Sequence, residues 1–166
     1  MSKSGPGTLV VVDVQKYFVT EHCADIPAKI ARYIDSEQPD QVLFTRFVTD
    51  PKSNFGQTED SEICRSSPDI DIAPELERFT TDDNLFSKSA FSIFAIESVV
   101  SRLDKKQPLF LCGIDTECCV LASAFNAFEQ NYNVKVIGDL CGSHRGEDYH
   151  QMGLQLIEKN IKGVLT

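Results

Sequence analysis

The sequence predicts a three-layer α/β/α sandwich built on a mostly parallel, Rossmann-like sheet of six strands, in one domain spanning residues 1–166. Two patterns predict it. Short runs of β-branched and aromatic residues recur along the chain, continuously apolar rather than alternating, as strands covered on both faces are. Helical stripes lie between them, and strand–helix alternation points to a parallel sheet between helix layers. Composition agrees: 166 residues, 42% hydrophobic and 25% charged, are ordinary proportions for one globular domain. A chain of this length buries roughly 70% of the surface its unfolded form exposes and needs no staples.

The strand runs are Leu9–Asp13, Val42–Thr45, Leu85–Lys88, Leu109–Gly113, Val134–Asp139 and Val164–Thr166. Ile26, Ile30 and Ile34 recur every four residues and predict a helix, with Asp25 as N-cap and Pro27 in its first turn. Ile96, Val99, Val100 and Leu103 form a second stripe, Leu121, Ala124, Phe125 and Phe128 a third, and Leu154, Ile157 and Ile161 a fourth. Thr49 to Asp71 breaks the pattern, being rich in Ser, Asp, Pro and Asn without periodicity. A loop of that length in a compact domain is more often a lid or binding loop than filler.

Charge and cysteine usage exclude several classes of function. The formal net charge is −9, which argues against nucleic acid or an anionic membrane as partner, since both are bound through clustered Lys and Arg. Six cysteines without C-x-x-C spacing suggest neither a disulfide scaffold nor a zinc knuckle nor a thioredoxin-type pair. Four apolar residues, Leu9–Val12, are too few for a signal-peptide core, and no run approaches the roughly 18 residues of a membrane span. The thiols are therefore read as reduced, in a cytoplasmic protein.

In open α/β sheets the ligand crevice lies at the carboxyl ends of the strands. Asp13 ends the first strand, Lys88 the third, and the fourth passes through Gly113–Glu117 into a helix holding Cys118 and Cys119. Singly, each residue has a plain structural use: a loop hydrogen-bonder, a lysine reaching solvent, a small buried hydrophobe. Together, an acid, a cation and a thiol at one sheet edge are the parts of nucleophilic thiol catalysis. With Thr116 as N-cap, the helix start would lower a thiol from about 8.5 into the range of roughly 3.5–7.5 and offer N–H groups to an oxyanion. Asp13 would take the thiol proton and return it to the leaving group.

These residues resemble the isochorismatase-like cysteine hydrolases, the nicotinamidase/isochorismatase superfamily, which includes nicotinamidases and carbamoylsarcosine amidase. Asp13-Val-Gln-Lys-Tyr-Phe18 is similar to that family's D-x-Q-x-x-F, Thr45-Arg46 to its T-R, and Lys88-Ser-Ala-Phe-Ser-Ile-Phe94 to its K-x-x-x-S-x-F. Gly113-Ile-Asp-Thr-Glu-Cys-Cys119-Val120 resembles its G-[IV]-x-T-x-x-C-V, and Asp139-Leu-Cys-Gly-Ser143 its late D-x-x-x-S. The elements occur in order over nearly the whole chain. The resemblance implies a triad of Asp13 as base and acid, Lys88 as electrostatic support and Cys119 as nucleophile. It also implies a cis peptide at Ile114–Asp115, with the N–H groups of Asp115 and Cys119 as oxyanion hole, and assembly into a homo-oligomer. Helix periodicity sets Cys118 on a face with Leu121 and Phe125, leaning to the core, and Cys119 above Ser123 and Ala127. A vicinal disulfide is the third option, disfavoured in a reducing compartment.

Nicotinamidases of this family carry metal-binding Asp and His residues after the second strand, where this chain reads Phe47-Val-Thr49. Its histidines are His22, His144 and His150, none near that stretch, so no metal and no other cofactor is expected. His144, after the fifth strand, is read as a surface-loop residue. Gln15, Phe18, Phe47 and Phe91 are candidate substrate contacts, although each serves equally as a core residue, and Arg46 is the single cation considered for an acidic substrate. The expected activity is metal-independent hydrolysis of a small amide, ureido or carbamoyl compound through a cysteine thioester. An isochorismatase-type vinyl ether hydrolase and an inactive binding domain of the same fold are the alternatives.

Overall fold

The computed structural model describes residues 7–166; Met1 to Pro6, part of the leading segment read for a signal-peptide core, lie outside the described residues. Five parallel strands form one sheet: β1 (Thr8–Val12), β2 (Gln41–Phe47), β3 (Leu85–Lys88), β4 (Pro108–Ile114) and β5 (Asn133–Gly142), in the order β3-β2-β1-β4-β5. The expected sixth strand is corrected. Val164–Thr166 meets β5 at a single parallel bridge, Val136 to Leu165, because the run is too short to build a ladder.

Four helices connect or flank the strands: α1 (Ile26–Glu37), the single-turn α2 (Glu97–Val100), α3 (Leu121–Glu129) and α4 (Glu147–Asn160). Strand order runs one way from β1 to β3 and the other way from β4 to β5. Right-handed crossovers therefore set α1 and α3 on opposite faces of the sheet. Leu9 to Val12 on the central strand are completely buried, as a strand covered on both faces requires. The crevice of such a fold lies between β1 and β4, where the winding direction reverses. Among the described residues, no helix is long and apolar enough to cross a membrane.

Local expectations need three corrections. Asp25 precedes α1 but caps no N–H with its side chain; its carboxylate binds Lys29 Nζ at 2.8 Å one turn on. The core face of α3 is Ser123, Ala124 and Ala127, whereas Phe128 is 45% exposed, so small residues seat this helix close to its neighbours. The stretch that enters α3, Thr116–Val120, is a wide π-type turn opened by Asp115 rather than by Thr116: Asp115 O accepts from both Cys118 N and Val120 N at 3.1 Å.

Two glycines hold this region together. Gly113, at φ 126°, would put a Cβ 2.1 Å from Val12 O, so the approach of β4 to β1 at the crevice admits no side chain. Gly153 on α4 would put one 2.6 Å from Glu117 N, against the Thr116–Val120 turn. Gly153→Ala is expected to lower stability by about 1–3 kcal/mol through overpacking against backbone. A urea midpoint equal to wild type would contradict this seating of α4.

Candidate active site

The first strand ends at Asp13, whose backbone turns sharply with φ at 53° and whose side chain is fully buried. Its carboxylate is held from both sides. Thr45 Oγ1, on the neighbouring strand β2, donates to Oδ1 at 2.8 Å, and Lys88 Nζ, from the end of β3, donates to Oδ2 at 2.5 Å. The ammonium also reaches Ala90 O at 2.9 Å and Cys119 Sγ at 3.5 Å, which accounts for its three donors. The Phe47 ring lies 5.3 Å from Nζ. Three residues far apart in sequence thus meet at one buried cation.

The electrostatics follow from burial and pairing. Burial works against the charge of Lys88, but Asp13 and Cys119 outweigh it and hold the ammonium's pKa above the ordinary lysine value. The two neighbouring thiols titrate together. The adjacent thiol lowers Cys118 and raises Cys119; burial and the Asp13 carboxylate push Cys119 further up, against the pull of Lys88. The expected acidification of Cys119 by a helix start is therefore corrected. The adjacent Cys118 thiol, deep burial and the Asp13 carboxylate raise Cys119 above the ordinary cysteine value instead.

Cys119 is only 6% exposed, while Cys118 is half-buried. The face argument from periodicity is thus reversed, because the Ser123 and Ala127 stripe is the one that packs inward. Ser123 Oγ donates to Cys119 O at 2.7 Å and accepts from Ile93 N at 3.1 Å, tying the cysteine turn to the segment after Lys88. The Ile114–Asp115 peptide is cis, as the resemblance implies.

Both thiols open on a cavity of about 260 Å³. Phe18, Phe47 and Phe91 line it, together with Tyr17, Phe55 and Ile63. Phe47 packs edge-on to Phe55 at 5.1 Å and stacks with Phe91 at 6.5 Å, giving one aromatic wall. Asp60, Asp115, His144 and Arg145 supply the polar groups.

Gln15 stands apart from this wall. Fully buried, it accepts from Phe47 N at 2.7 Å and donates to Phe47 O at 3.0 Å and Asp69 O at 3.2 Å, so it fastens the long loop to the sheet. The expectation of a substrate contact there is corrected: Gln15 does not line the cavity, and its amide is taken up by the backbone of Phe47 and Asp69. Arg46 also lies elsewhere, with Nε on Ser87 Oγ at 2.9 Å, and Arg145 is the cation at the cavity.

His144 is corrected from a surface-loop residue to a cavity residue. Its ring Nδ1 lies 2.7 Å from Asp115 Oδ2. Its place directly after a strand's carboxyl end was the available signal. Phe55, Asp60 and Ile63 come from the Thr49–Asp71 loop, whose aperiodicity marked a binding loop without marking which side chains it presents. That loop is anchored at its base by Thr49 N on Cys64 O at 2.9 Å and Cys64 N on Asp69 Oδ2 at 3.2 Å.

The residues do not fit the divalent metal of nicotinamidases. Phe47 packs in the aromatic wall, Thr49 Oγ1 donates to Ile63 O at 2.7 Å, and among the described residues no His, Cys, Asp and Glu cluster is placed to hold an ion. A larger groove of about 770 Å³ runs beside α4 and β5, lined by His22, Asp139 and Glu158 among others, and neither Cys118 nor Cys119 lines it.

An isochorismatase domain model matches residues 8–166. The fold is similar to the nicotinamidase/pyrazinamidase of Bacillus subtilis, with a TM-score of 0.76 and 18% identity over 97% of this chain and 99% of that one. It is also similar to N-carbamoylsarcosine amidase from Thermoplasma acidophilum, with a TM-score of 0.75 and 16% identity over 97% and 95%. By sequence, 80 residues are 26% identical to isochorismatase domain-containing protein 2 of Xenopus laevis, covering 46% of this chain and 39% of that protein. A further 24% identity over 94 residues links it to the secreted isochorismatase effector Isc1 of Phytophthora sojae, covering 55% and 41%. The chain thus spans about two fifths of the length of those curated relatives.

Two outcomes follow from this arrangement. Lys88→Met strands the buried Asp13 carboxylate and is expected to cost about 3–5 kcal/mol in a urea melt; a loss too small to measure would contradict the pair. At pH 8, iodoacetamide should leave native Cys64 and Cys141 unmodified, since burial above all pushes each to about 12. Their thiolate fraction is then on the order of 10⁻⁴. Both should label once the chain is unfolded, and fast native labelling of either would contradict their burial.

Proposed function

The chain belongs to the isochorismatase family, whose model matches residues 8–166, and from that premise we propose that it is a metal-independent cysteine hydrolase of small amide, ureido or carbamoyl compounds. One observation carries the reading: a single buried ammonium contacts both a carboxylate, at 2.5 Å, and a thiol, at 3.5 Å, beside a small cavity. Structural ion pairs have no need of a thiol at the mouth of a pocket.

In this reading the resting thiol of Cys119 is neutral, and Asp13 removes its proton as sulfur attacks the substrate carbonyl. Lys88 keeps the carboxylate ionised beforehand and the thiolate stabilised as it forms. The backbone N–H groups of Asp115 and Cys119 hold the oxyanion. In support, the carbonyl of Asp115 is occupied by the N–H groups on either side of that of Cys119. The C–N bond then breaks, and protonated Asp13 gives its proton to the departing nitrogen, leaving a thioester. Asp13 next takes a proton from water, whose oxygen attacks the thioester. The acid leaves and the thiol regains its proton.

The cavity's 260 Å³ lies below the usual range for drug-sized ligands, which favours a small substrate with an apolar side against the aromatic wall. An ammonia-release screen over small amides, ureides and carbamoyl compounds tests the assignment. Cys119→Ala and Asp13→Asn are each expected to abolish the turnover that wild type shows, with Cys119→Ala melting within a few degrees of wild type. Undiminished turnover by Cys119→Ala would overturn the assignment.

A further inference from the structure

The Asp13, Lys88 and Cys119 assembly leaves the polar side chains that line the cavity without a role. Asp115, 6% exposed, accepts from His144 N at 2.8 Å through Oδ1, while Oδ2 lies 2.7 Å from His144 Nδ1. Thr20 Oγ1 fixes the same residue's backbone by donating to His144 O at 3.0 Å. The ring leans against Phe18, centroid to centroid 5.4 Å, and Tyr17, 6.5 Å. Position, orientation and tautomer are all set. A carboxylate only accepts, so Nδ1 donates to it, and in the tautomer with its single hydrogen there Nε2 is the acceptor. Among the described residues Nε2 has no hydrogen-bond partner, and the ring lines the same cavity as Cys119. Of the cavity's other charged groups, Asp60 comes from the long loop, and Arg145 is half exposed and faces the Glu117 carboxylate at 3.8 Å.

We infer that His144 is a specificity-determining residue that reads the N–H of the substrate. Its Nε2 accepts a hydrogen bond from the amide, ureido or carbamoyl nitrogen. The backbone N–H of Asp115, the residue that holds the ring, takes the carbonyl oxygen. One residue thereby organises both halves of a C(=O)–NH group, the oxygen through its main chain and the nitrogen through its side chain. The inference rests on the hydrolase reading above and narrows it. Esters of the same acids offer no N–H and leave Nε2 unpaired, which is the strong form of discrimination.

The test needs no knowledge of the natural substrate. Iodoacetamide and methyl iodoacetate share a leaving group, and the amide alone carries an N–H. Alkylation rates of Cys119 in the full chain are followed by peptide mass spectrometry, and the amide-to-ester ratio is compared with that of glutathione. The ratio at Cys119 is expected to exceed that of glutathione by about tenfold, the discrimination of one neutral hydrogen bond. His144→Phe, which keeps a ring against Phe18, should bring the ratio down to that of glutathione, and His144→Gln, which restores an acceptor, should recover part of it. A wild-type ratio equal to that of glutathione, or an unchanged ratio in His144→Phe, would overturn the inference while the nucleophile stands. Cys119 is alkylated although buried because Asp13 takes its proton as sulfur attacks, as in turnover, an assistance that Cys64 and Cys141 lack. Failure of both reagents to label Cys119 would overturn the hydrolase reading itself, and the inference with it.

Discussion

The buried ion pair between Lys88 and Asp13 is the constraint around which this molecule is arranged. An ammonium and a carboxylate with side chains 1% and 0% exposed persist only if every donor and lone pair is answered. Thr45, Ala90 and Cys119 provide the answers, and each comes from a different segment. The strand order brings those segments together: β2 and β3 lie on one side of β1, and β4 lies on the other. A sheet with another order would leave the charges unpaired. The Cys119 thiol stands 3.5 Å from the same ammonium, which ties it to the pair.

Much of this was legible in the sequence, for identifiable reasons. The LFSK run becomes β3 with unchanged bounds, and Asp13, Lys88 and the cysteine turn stand at strand ends because a parallel sheet puts all its carboxyl ends on one side. The α3 stripe was misread because volume suggested Phe125 and Phe128 as the inward residues. Close packing instead selects Ser123, Ala124 and Ala127, and that choice turns Cys119 inward. The thiol's ionisation was misjudged for a related reason. A helix start lowers a thiol near solvent, but here the turn is π-type, and the neighbouring Cys118 thiol, burial and the Asp13 carboxylate together raise Cys119.

The cavity's polar side chains were harder to foresee. No periodicity marks a side chain's rotamer, so His144 read as a loop residue until Asp115 is seen to hold it on both backbone and ring. Gln15 failed in the opposite direction: its position in the opening motif suggested ligand contact, yet it bridges Phe47 and Asp69 across the base of the long loop. Both cases turn on long-range hydrogen bonds between strand ends and loops. Such bonds depend on which loops the fold places side by side, and pattern along one chain carries no direct trace of that.

Mass spectrometry of the full chain quenched in acid during incubation with a small amide from which it releases ammonia tests the central claim most directly. A covalent acyl adduct mapped to the Cys119 peptide, absent in Cys119→Ala, is the predicted result. Turnover without any adduct, or an adduct mapped to Cys118, would contradict the account.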